Sequence, residues 1–152
     1  MPAPPPEIKL RRLPAMAYDY RILADENLLL ITGSGEVSSK DIHRVVTAFQ
    51  KDPDWNPTMN MLVDWRGVTE LLIDLDEIRT LATEALDEER MQLGKPLGPR
   101  AAVVIQNPDH EMIPKVYAGY LRKSGLETLV TYKLQEALDW VGVDPATIAH
   151  AA

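Results

Sequence analysis

The chain has 152 residues, of which 45% are hydrophobic and 26% are charged, values typical of one soluble domain with its own hydrophobic core. Its 16 basic and 23 acidic side chains give a net charge of −7, which argues against nucleic acid and anionic membrane surfaces as partners, because both carry negative charge. Cysteine is absent, which excludes disulfides, thiolate catalysis and thiol-rich metal sites and is compatible with a cytoplasmic location.

The two ends of the sequence differ in composition from its middle. Residues 1–17 form a proline-rich arm, for which a passive tail is the main interpretation and a docking motif the alternative. No apolar stretch in the arm resembles a secretion signal. We expect the domain to occupy residues 18–141 and residues 142–152 to form a loose tail. The longest apolar run in a predicted strand, residues 101–105, is far shorter than the ~20 residues that a bilayer requires.

The first part of the domain predicts a β-hairpin. Residues 18–23 alternate like an edge strand, residues 25–27 form a turn, and residues 28–32 return as a more apolar strand. We expect Gly33-Ser34-Gly35 to break this second strand. The apolar run at residues 60–64 predicts the next strand, whose carboxyl end at Asp64 opens into a polar loop.

Four segments, which lie between the predicted strands or after the last of them, carry apolar residues at the period of a helix. These are Ile42, Val45, Val46 and Phe49; Leu75, Ile78, Leu81, Ala82, Ala85 and Leu86; Ile113, Val116, Tyr117, Tyr120 and Leu121; and Leu134, Ala137, Leu138 and Val141. Ser38 or Ser39 is placed to cap the first helix, and Asp74 or Asp76 the second. With strands at residues 101–105 and 129–132, the order predicts an α/β fold with a mixed, mostly parallel sheet of about five strands, an N-terminal hairpin and four helices.

This order and three of its segments resemble the anti-sigma-factor antagonist (SpoIIAA-like, STAS) family, especially its stand-alone bacterial branch of STAS-like or SEC14-like proteins. Residues 31–37, ITGSGEV, resemble the family's strand that ends in Gly-acid-aliphatic. Residues 61–68, MLVDWRGV, resemble its aliphatic strand with Asp and a Gly-Val loop, and residues 131–140, TYKLQEALDW, its closing strand and helix. The resemblance covers about residues 18–141 and implies a non-catalytic module that binds a protein partner or a small ligand.

One feature of the antagonists does not carry over to this chain. In that family, a serine at the start of the second helix is phosphorylated by a partner kinase, and the phosphate switches binding. Residues 73–77 of this chain read Ile-Asp-Leu-Asp-Glu, without a hydroxyl. Phosphorylation adds about −1.5 to −2 of charge, and this segment already holds three carboxylates, so we expect no serine-phosphate switch there. Thr69 and Thr80 are the nearby hydroxyl groups.

The predicted site is a polar rim where the third strand meets the second helix. Ligands and partners of open α/β sheets bind beyond the carboxyl ends of the strands, so we expect Asp64, Arg66 and Thr69 to line a pocket, with Gly67 as a hinge. The alternative is that Asp64 caps loop amides and Arg66 pairs with an acid. Trp65 is either an exposed contact residue or a cover for the core edge. The full set of candidate binding residues is Asp64, Trp65, Arg66, Gly67, Thr69, Asp76, Asn107 and His110.

Two further motifs resemble ligand or metal sites, but their sequence context argues against such sites. Gly33-Ser34-Gly35 lacks the third glycine and the βαβ context of a dinucleotide fingerprint, so a bulge or a left-handed turn is the better interpretation. His110 lies between Asp109 and Glu111, but consecutive side chains point in different directions and do not chelate one metal together. A general acid or base at His110 requires a partner such as Asp64. No catalytic motif is present, and we expect neither a cofactor nor a metal.

The candidate residues are compatible with three hypotheses about the function of the protein. The preferred one is a cytoplasmic, non-catalytic STAS-like module that binds a protein partner, or itself, through the first and second helices. On the second helix, an acidic face with Glu84 and Glu88 is either a solvated face or a receptor for a basic partner. The second hypothesis is a small-ligand or lipid-binding protein, with an apolar pocket between sheet and helices near Trp65 and the helix of Tyr117 and Tyr120. The weakest is an enzyme that uses Asp64, Arg66 and His110.

Overall fold

A computed structural model of the chain describes residues 17–92, 100–122 and 125–146, and leaves the side chains of residues 84–92 undescribed. The helical face with Glu84 and Glu88 and nearly all of the predicted arm therefore lie outside the described residues. The elements in chain order are β1 Tyr18–Leu23, β2 Leu28–Ser38, α1 Ser39–Gln50, β3 Asn60–Leu72, α2 Leu75–Gln92, β4 Arg100–Val104, α3 Met112–Leu121, β5 Glu127–Thr131 and α4 Leu134–Val141.

The five strands form one mixed sheet in the order β1-β2-β3-β4-β5. β1 pairs with β2 antiparallel, and β2, β3, β4 and β5 pair in parallel with their neighbours. Asn27, in the left-handed conformation after a 3-10 turn at Ala24–Glu26, closes the hairpin. The predicted α/β fold, the hairpin and the number and order of the elements are confirmed. Among the described helices, none is long and apolar enough to cross a bilayer.

The helices cover the two faces of the sheet unequally. α1, α2 and α3 pack on one face, where Val45, Phe49 and Ile78 are almost fully buried. Among the described helices, α4 packs on the other face, and its Ala137 and Leu138 contact the strand residues Leu28, Leu30, Leu62, Ala102 and Val104. Since successive residues of a strand point to opposite faces, each central strand contributes to both layers of the core.

β3 is the element that differs most from its prediction. The expected strand at residues 60–64 continues to Leu72, and β2 likewise continues through Gly33-Ser34-Gly35 to Ser38. The two strands stay paired along this extension, from Thr32 with Asp64 to Ser38 with Leu72. β4, in contrast, pairs with β3 only as far as Asp64. The predicted strand break at Gly33-Ser34-Gly35 and the predicted polar loop at Asp64 are therefore wrong.

Two irregularities in the β2–β3 register explain why the extension was not predicted. The register shifts between Thr32 and Ser34 and again between Gly35 and Glu36, and each time β3 holds one residue more than β2. Such bulges interrupt the two-residue alternation on which strand prediction depends. Gly35 has a φ of 64°, which favours glycine, so the interpretation of these glycines as a bulge or left-handed turn is confirmed.

At the helix starts and near the carboxyl end of the domain, the structure adds smaller details to the predictions or differs from them. At α1, the Asp41 carboxylate accepts hydrogen bonds from the backbone N–H and the hydroxyl of Ser38. Leu75 was predicted to face inward but is exposed, because it is the first residue of α2 and lies past the end of β3. Val143 is buried against α4, so the packed domain extends two residues beyond the predicted boundary at residue 141.

Candidate functional site

Asp64, Trp65, Arg66 and Gly67 lie inside β3 and not in a loop at its end. The Arg66 guanidinium donates two hydrogen bonds to the Asp64 carboxylate, both 2.9 Å long, and the Arg66 backbone N–H donates a third. Partial burial raises the pKa of Asp64, but the hydrogen bonds from Arg66 outweigh it and hold the pKa below its ordinary value. The two charged groups thus bind each other, as the alternative interpretation predicted. Gly67 is not a hinge, because it is paired with Ser34 inside the β2–β3 ladder. A Cβ atom there would lie 3.3 Å from the carbonyl oxygen of Gly33 on the paired strand.

Trp65 is a core residue. Its side chain is only 5% exposed, and its indole N–H donates a 3.2 Å hydrogen bond to the hydroxyl of Tyr18. The two rings meet edge to face, with centroids 6.5 Å apart, an arrangement that aromatic pairs prefer. Burial raises the pKa of Tyr18, so this hydroxyl stays protonated at neutral pH. Trp65 is therefore not an exposed contact residue.

The other four candidate residues, Thr69, Asp76, Asn107 and His110, line one open cleft of about 740 Å³. The cleft lies at the carboxyl edge of the parallel strands, between the end of β3, the start of α2 and the turn that precedes α3. Asn107 shapes this turn, because its side-chain oxygen accepts a 2.9 Å hydrogen bond from the backbone N–H of Asp109. The structure thus brings together half of the predicted set, at the edge of the sheet where binding was expected, but around the last residues of β3 instead of Asp64.

The cleft is acidic. Its described lining includes the carboxylates of Glu70, Asp74, Asp76 and Asp109, and no Lys or Arg. Asp74 caps α2: its carboxylate accepts a 2.8 Å hydrogen bond from the backbone N–H of Glu77, whose own carboxylate accepts one from Asp74. Asp76, the alternative cap, instead pairs with Arg79 at 3.0 Å. Carboxylates at a helix start interact favourably with the helix dipole, so these acids also contribute to the stability of the fold.

His110 is a buried residue in the lining of this cleft. The residue is 5% exposed, and its buried Nδ1 atom has no hydrogen-bond partner among the described residues. Neither Asp64 nor Arg66 is among the described residues that line the cleft, so the three groups that the enzyme hypothesis requires are not gathered there. Within the described parts of the chain, no three His, Asp or Glu side chains are arranged to hold a metal ion.

Two of the four exposed hydrophobic side chains, Leu75 and Met112, line this cleft, and the other two are Leu72 and Tyr132. They are the exposed large hydrophobic residues of the described chain, each between 45% and 58% exposed. Leu72 ends β3, Leu75 and Met112 begin α2 and α3, and Tyr132 directly follows β5. Leu75 and Met112 line the cleft, and the Tyr132 hydroxyl donates a hydrogen bond to Glu111, next to Met112. We call Leu75 and Met112 the carboxyl-edge surface.

Sequence reasoning missed the carboxyl-edge surface, although one pattern pointed to it. Each of its residues stands at the end of a strand or the start of a helix, where a polar cap or turn residue is more usual. A large apolar residue in such a position has no neighbour in the core to cover it. This pattern is visible only once the element ends are known, and the end of β3 was the boundary predicted wrongly.

A separate apolar cavity lies inside the domain, between the sheet and helices α1, α2 and α3. Its volume is about 80 Å³, and its walls are almost entirely apolar. Trp65, Tyr18 and Tyr117 are among the lining residues, together with Ala101 and Ile113. An apolar pocket between sheet and helices near Trp65 was one of the sequence-based hypotheses, and the structure places a cavity there.

Comparison with known proteins gives a limited result. No family model matches the sequence, and no curated protein matches it. Among solved structures, the chain is similar to an uncharacterized protein of the DUF3478 family, with a SpoIIAA-like fold, from Shewanella loihica PV-4. The identity is 16%, the match covers 75% of this chain and 83% of that chain, and the TM-score is 0.49. The likeness concerns the fold alone, and it assigns no ligand or partner.

Proposed function

We propose that this protein is a non-catalytic, cytoplasmic regulatory module of the STAS-like kind, which binds a protein partner at the carboxyl-edge surface. The observation that carries the proposal is the pair of exposed apolar side chains, Leu75 and Met112, on the wall of one open cleft. Isolated exposed hydrophobic residues are ordinary, but exposed apolar side chains that share one cleft with a polar rim are typical of an interaction site. The same edge is the usual binding edge of open α/β sheets.

The charge of the cleft indicates the chemistry of the partner. Glu70, Asp74, Asp76 and Asp109 line the same cleft as Leu75 and Met112, without a Lys or Arg among the described lining residues. A partner that presents an apolar side chain flanked by Lys or Arg would complement both the shape and the sign of this edge. Two copies of the chain would instead bring two acidic clefts together in a symmetric dimer, because such an interface places the same patch opposite itself. The acidity therefore favours a different, basic protein over self-association.

The arrangement of the charged groups also supports a binding role over a catalytic one. Asp64 and Arg66 are joined by three hydrogen bonds and have little capacity left for a substrate. His110 is buried, and among the described residues its Nδ1 atom lacks the hydrogen-bonded acid or base that a proton-transfer pair requires. The proposed surface includes the starts of α2 and α3, and so differs from the faces of the first and second helices that the sequence suggested.

A titration with the partner tests the proposal. The tagged full chain is used to purify its partner from cells of the source organism, and the purified pair is then studied by isothermal titration calorimetry. Leu75→Asp and Met112→Asp are each expected to weaken binding at least tenfold, because each places a carboxylate in the apolar centre of the interface. Ala48→Asp is the matched control, since Ala48 is exposed near the end of α1 at the opposite edge of the sheet. The proposal is wrong if the control variant weakens binding as much as the other two.

A further inference from the structure

The cleft at the carboxyl edge combines an apolar wall with acidic groups that lack a counter-charge. Leu75 and Met112 are its exposed apolar side chains. The exposed carboxylates of Glu70 and Asp109 form no ion pair with another described residue. The buried Nδ1 atom of His110, in the same lining, has no hydrogen-bond partner among the described residues, although buried polar atoms nearly always have one. The cleft therefore retains apolar, acidic and hydrogen-bonding groups for an occupant.

The chain itself contains a segment of complementary chemistry. Residues 9–13 read Lys-Leu-Arg-Arg-Leu, and we call them the basic segment. Three basic side chains against one acidic side chain, Glu7, give residues 1–16 a net charge of +2, in a chain whose net charge is −7. The two leucines lie among the three cations, so the segment presents apolar and positively charged groups together. Charges of opposite sign on the segment and on the cleft attract each other and favour this pairing.

The arm joins the sheet toward the edge that holds the cleft. β1 runs antiparallel to β2, so its first residue, Tyr18, lies toward the carboxyl ends of the parallel strands. The carbonyl oxygen of Ala17 accepts a 2.7 Å hydrogen bond from the backbone N–H of Ser34, and Ser34 pairs with Gly67 of β3. Beyond Ser34, no described strand covers the outer side of β2. The residues before Ala17 therefore leave the sheet beside the carboxyl-terminal half of β3.

The arm is long enough to reach the cleft. Thr69, the first residue of β3 in the cleft lining, lies two residues beyond Gly67, about 7 Å along the strand. β1 and β3 are two strand spacings apart, about 9.5 Å, so roughly 12 Å separate Ala17 from Thr69. The four residues from Leu13 to Ala17 span up to about 14 Å when extended, and the eight from Lys9 up to about 28 Å. The basic segment thus reaches the near wall of the cleft and extends to the far wall.

We propose that the basic segment occupies the cleft of its own chain when no partner is bound. Its leucines then cover Leu75 and Met112, and its cations lie beside the carboxylates. Attachment to the domain gives the segment an effective concentration of about 1 mM, so a contact with a dissociation constant of about 1 mM keeps the cleft occupied roughly half of the time. Docking of the segment does not depend on a partner, but its consequence rests on the proposed function: a partner at the same cleft displaces the segment and binds about twofold more weakly.

Paramagnetic NMR on the full chain, without a partner, tests the proposal. Since the chain has no cysteine, Glu7→Cys carries a single nitroxide spin label just before the basic segment. We expect the label to broaden the backbone amide resonances of Asp74, Asp109 and Met112 and to leave that of Ala48, at the opposite edge of the sheet, unchanged. The broadening is expected to decrease in about 1 M salt, where the Debye length is only about 3 Å.

A charge reversal supplies the reference for this broadening, because an undocked arm also passes near the cleft. Arg11→Glu, added to Glu7→Cys, is expected to remove most of the broadening at the cleft. Lys51→Glu makes the same change of charge at an exposed position after α1 and is expected to leave the broadening unchanged. A mixed sample, with the spin label and the isotope label on different chains, is expected to show none.

Two results overturn the proposal. Equal broadening at the cleft with and without Arg11→Glu would show that the basic segment does not dock there. Broadening in the mixed sample would place the segment on a second copy of the chain instead of its own. Neither result decides whether a partner binds the cleft, which the titration of Leu75→Asp and Met112→Asp tests separately, so the two proposals fail independently.

Discussion

Replacing Ala101 by valine tests the packing between the sheet and helices α1–α3. Ala101 lines the apolar cavity, whereas its neighbour Ala102 points to the other face of β4, is fully buried and packs in the core layer beneath α4. The same substitution in the same strand therefore meets empty space at one position and a closely packed layer at the other. Ala102→Val is the matched control for Ala101→Val.

The expected magnitudes are set by the volume of the cavity. An empty volume of about 80 Å³ costs up to about 2 kcal/mol at ~24 cal/mol per Å³, and two added methyl groups contribute roughly 1.6 kcal/mol when buried. After the loss of side-chain entropy, we expect Ala101→Val to raise the free energy of unfolding by about 1 kcal/mol. A valine side chain at position 102 has no empty space to occupy, so Ala102→Val is expected to lower the free energy of unfolding by about 1–3 kcal/mol.

Urea unfolding followed by circular dichroism measures both variants. The midpoint is expected to rise for Ala101→Val and to fall for Ala102→Val, with the slope m unchanged in each. In thermal unfolding, a difference of 1 kcal/mol corresponds to about 2–4 °C for a domain of this size. If Ala101→Val destabilises the protein as much as Ala102→Val does, the space beside Ala101 is not available to a side chain, and the account of the cavity is refuted.

Three further substitutions test the local interactions. Asp74→Ala removes the cap of α2 and is expected to cost about 1 kcal/mol in urea unfolding; no change would show that the cap is not needed. Trp65→Phe leaves the buried Tyr18 hydroxyl without its hydrogen bond from the indole and is expected to cost about 1–3 kcal/mol in the same assay; a midpoint equal to that of the wild type would refute this. The pKa of Asp64 lies below its ordinary value of 3.8, so its pair with Arg66 stabilises the fold above that pH and is lost as pH falls through the folded pKa. Arg66→Gln is expected to cost at most about 1 kcal/mol at neutral pH, because the pair is partly exposed, and to make unfolding below pH 4 less dependent on pH; an unchanged acid profile would contradict this.

Much of the fold could be predicted because its pattern is local. The helical period of Ile42, Val45 and Phe49 and the alternation of residues 18–23 each report one buried face, and such patterns need no tertiary information. The end of β3 could not be predicted in this way. Its two bulges add residues that break the alternation, and the pairing of residues 65–72 depends on β2, which is distant in sequence.

The candidate site was predicted in part. Thr69, Asp76, Asn107 and His110 meet in one cleft because the carboxyl ends of parallel strands share one edge, a rule that applies to the predicted element order. Asp64 and Arg66 instead satisfy each other within β3. The exposure of Leu75 was not predictable from its helical period, because the period gives the face of a residue and not whether a strand reaches far enough to cover it.

The central claim is that a basic protein partner binds the carboxyl-edge surface, and photo-crosslinking tests it most directly. p-Benzoylphenylalanine in place of Met112, which is 58% exposed at the start of α3, is expected to form a covalent adduct with the partner on illumination. The same photoreactive residue in place of Ala48, at the opposite edge of the sheet, is expected to form none. An adduct from position 48 together with none from position 112 would place the partner elsewhere and contradict the account.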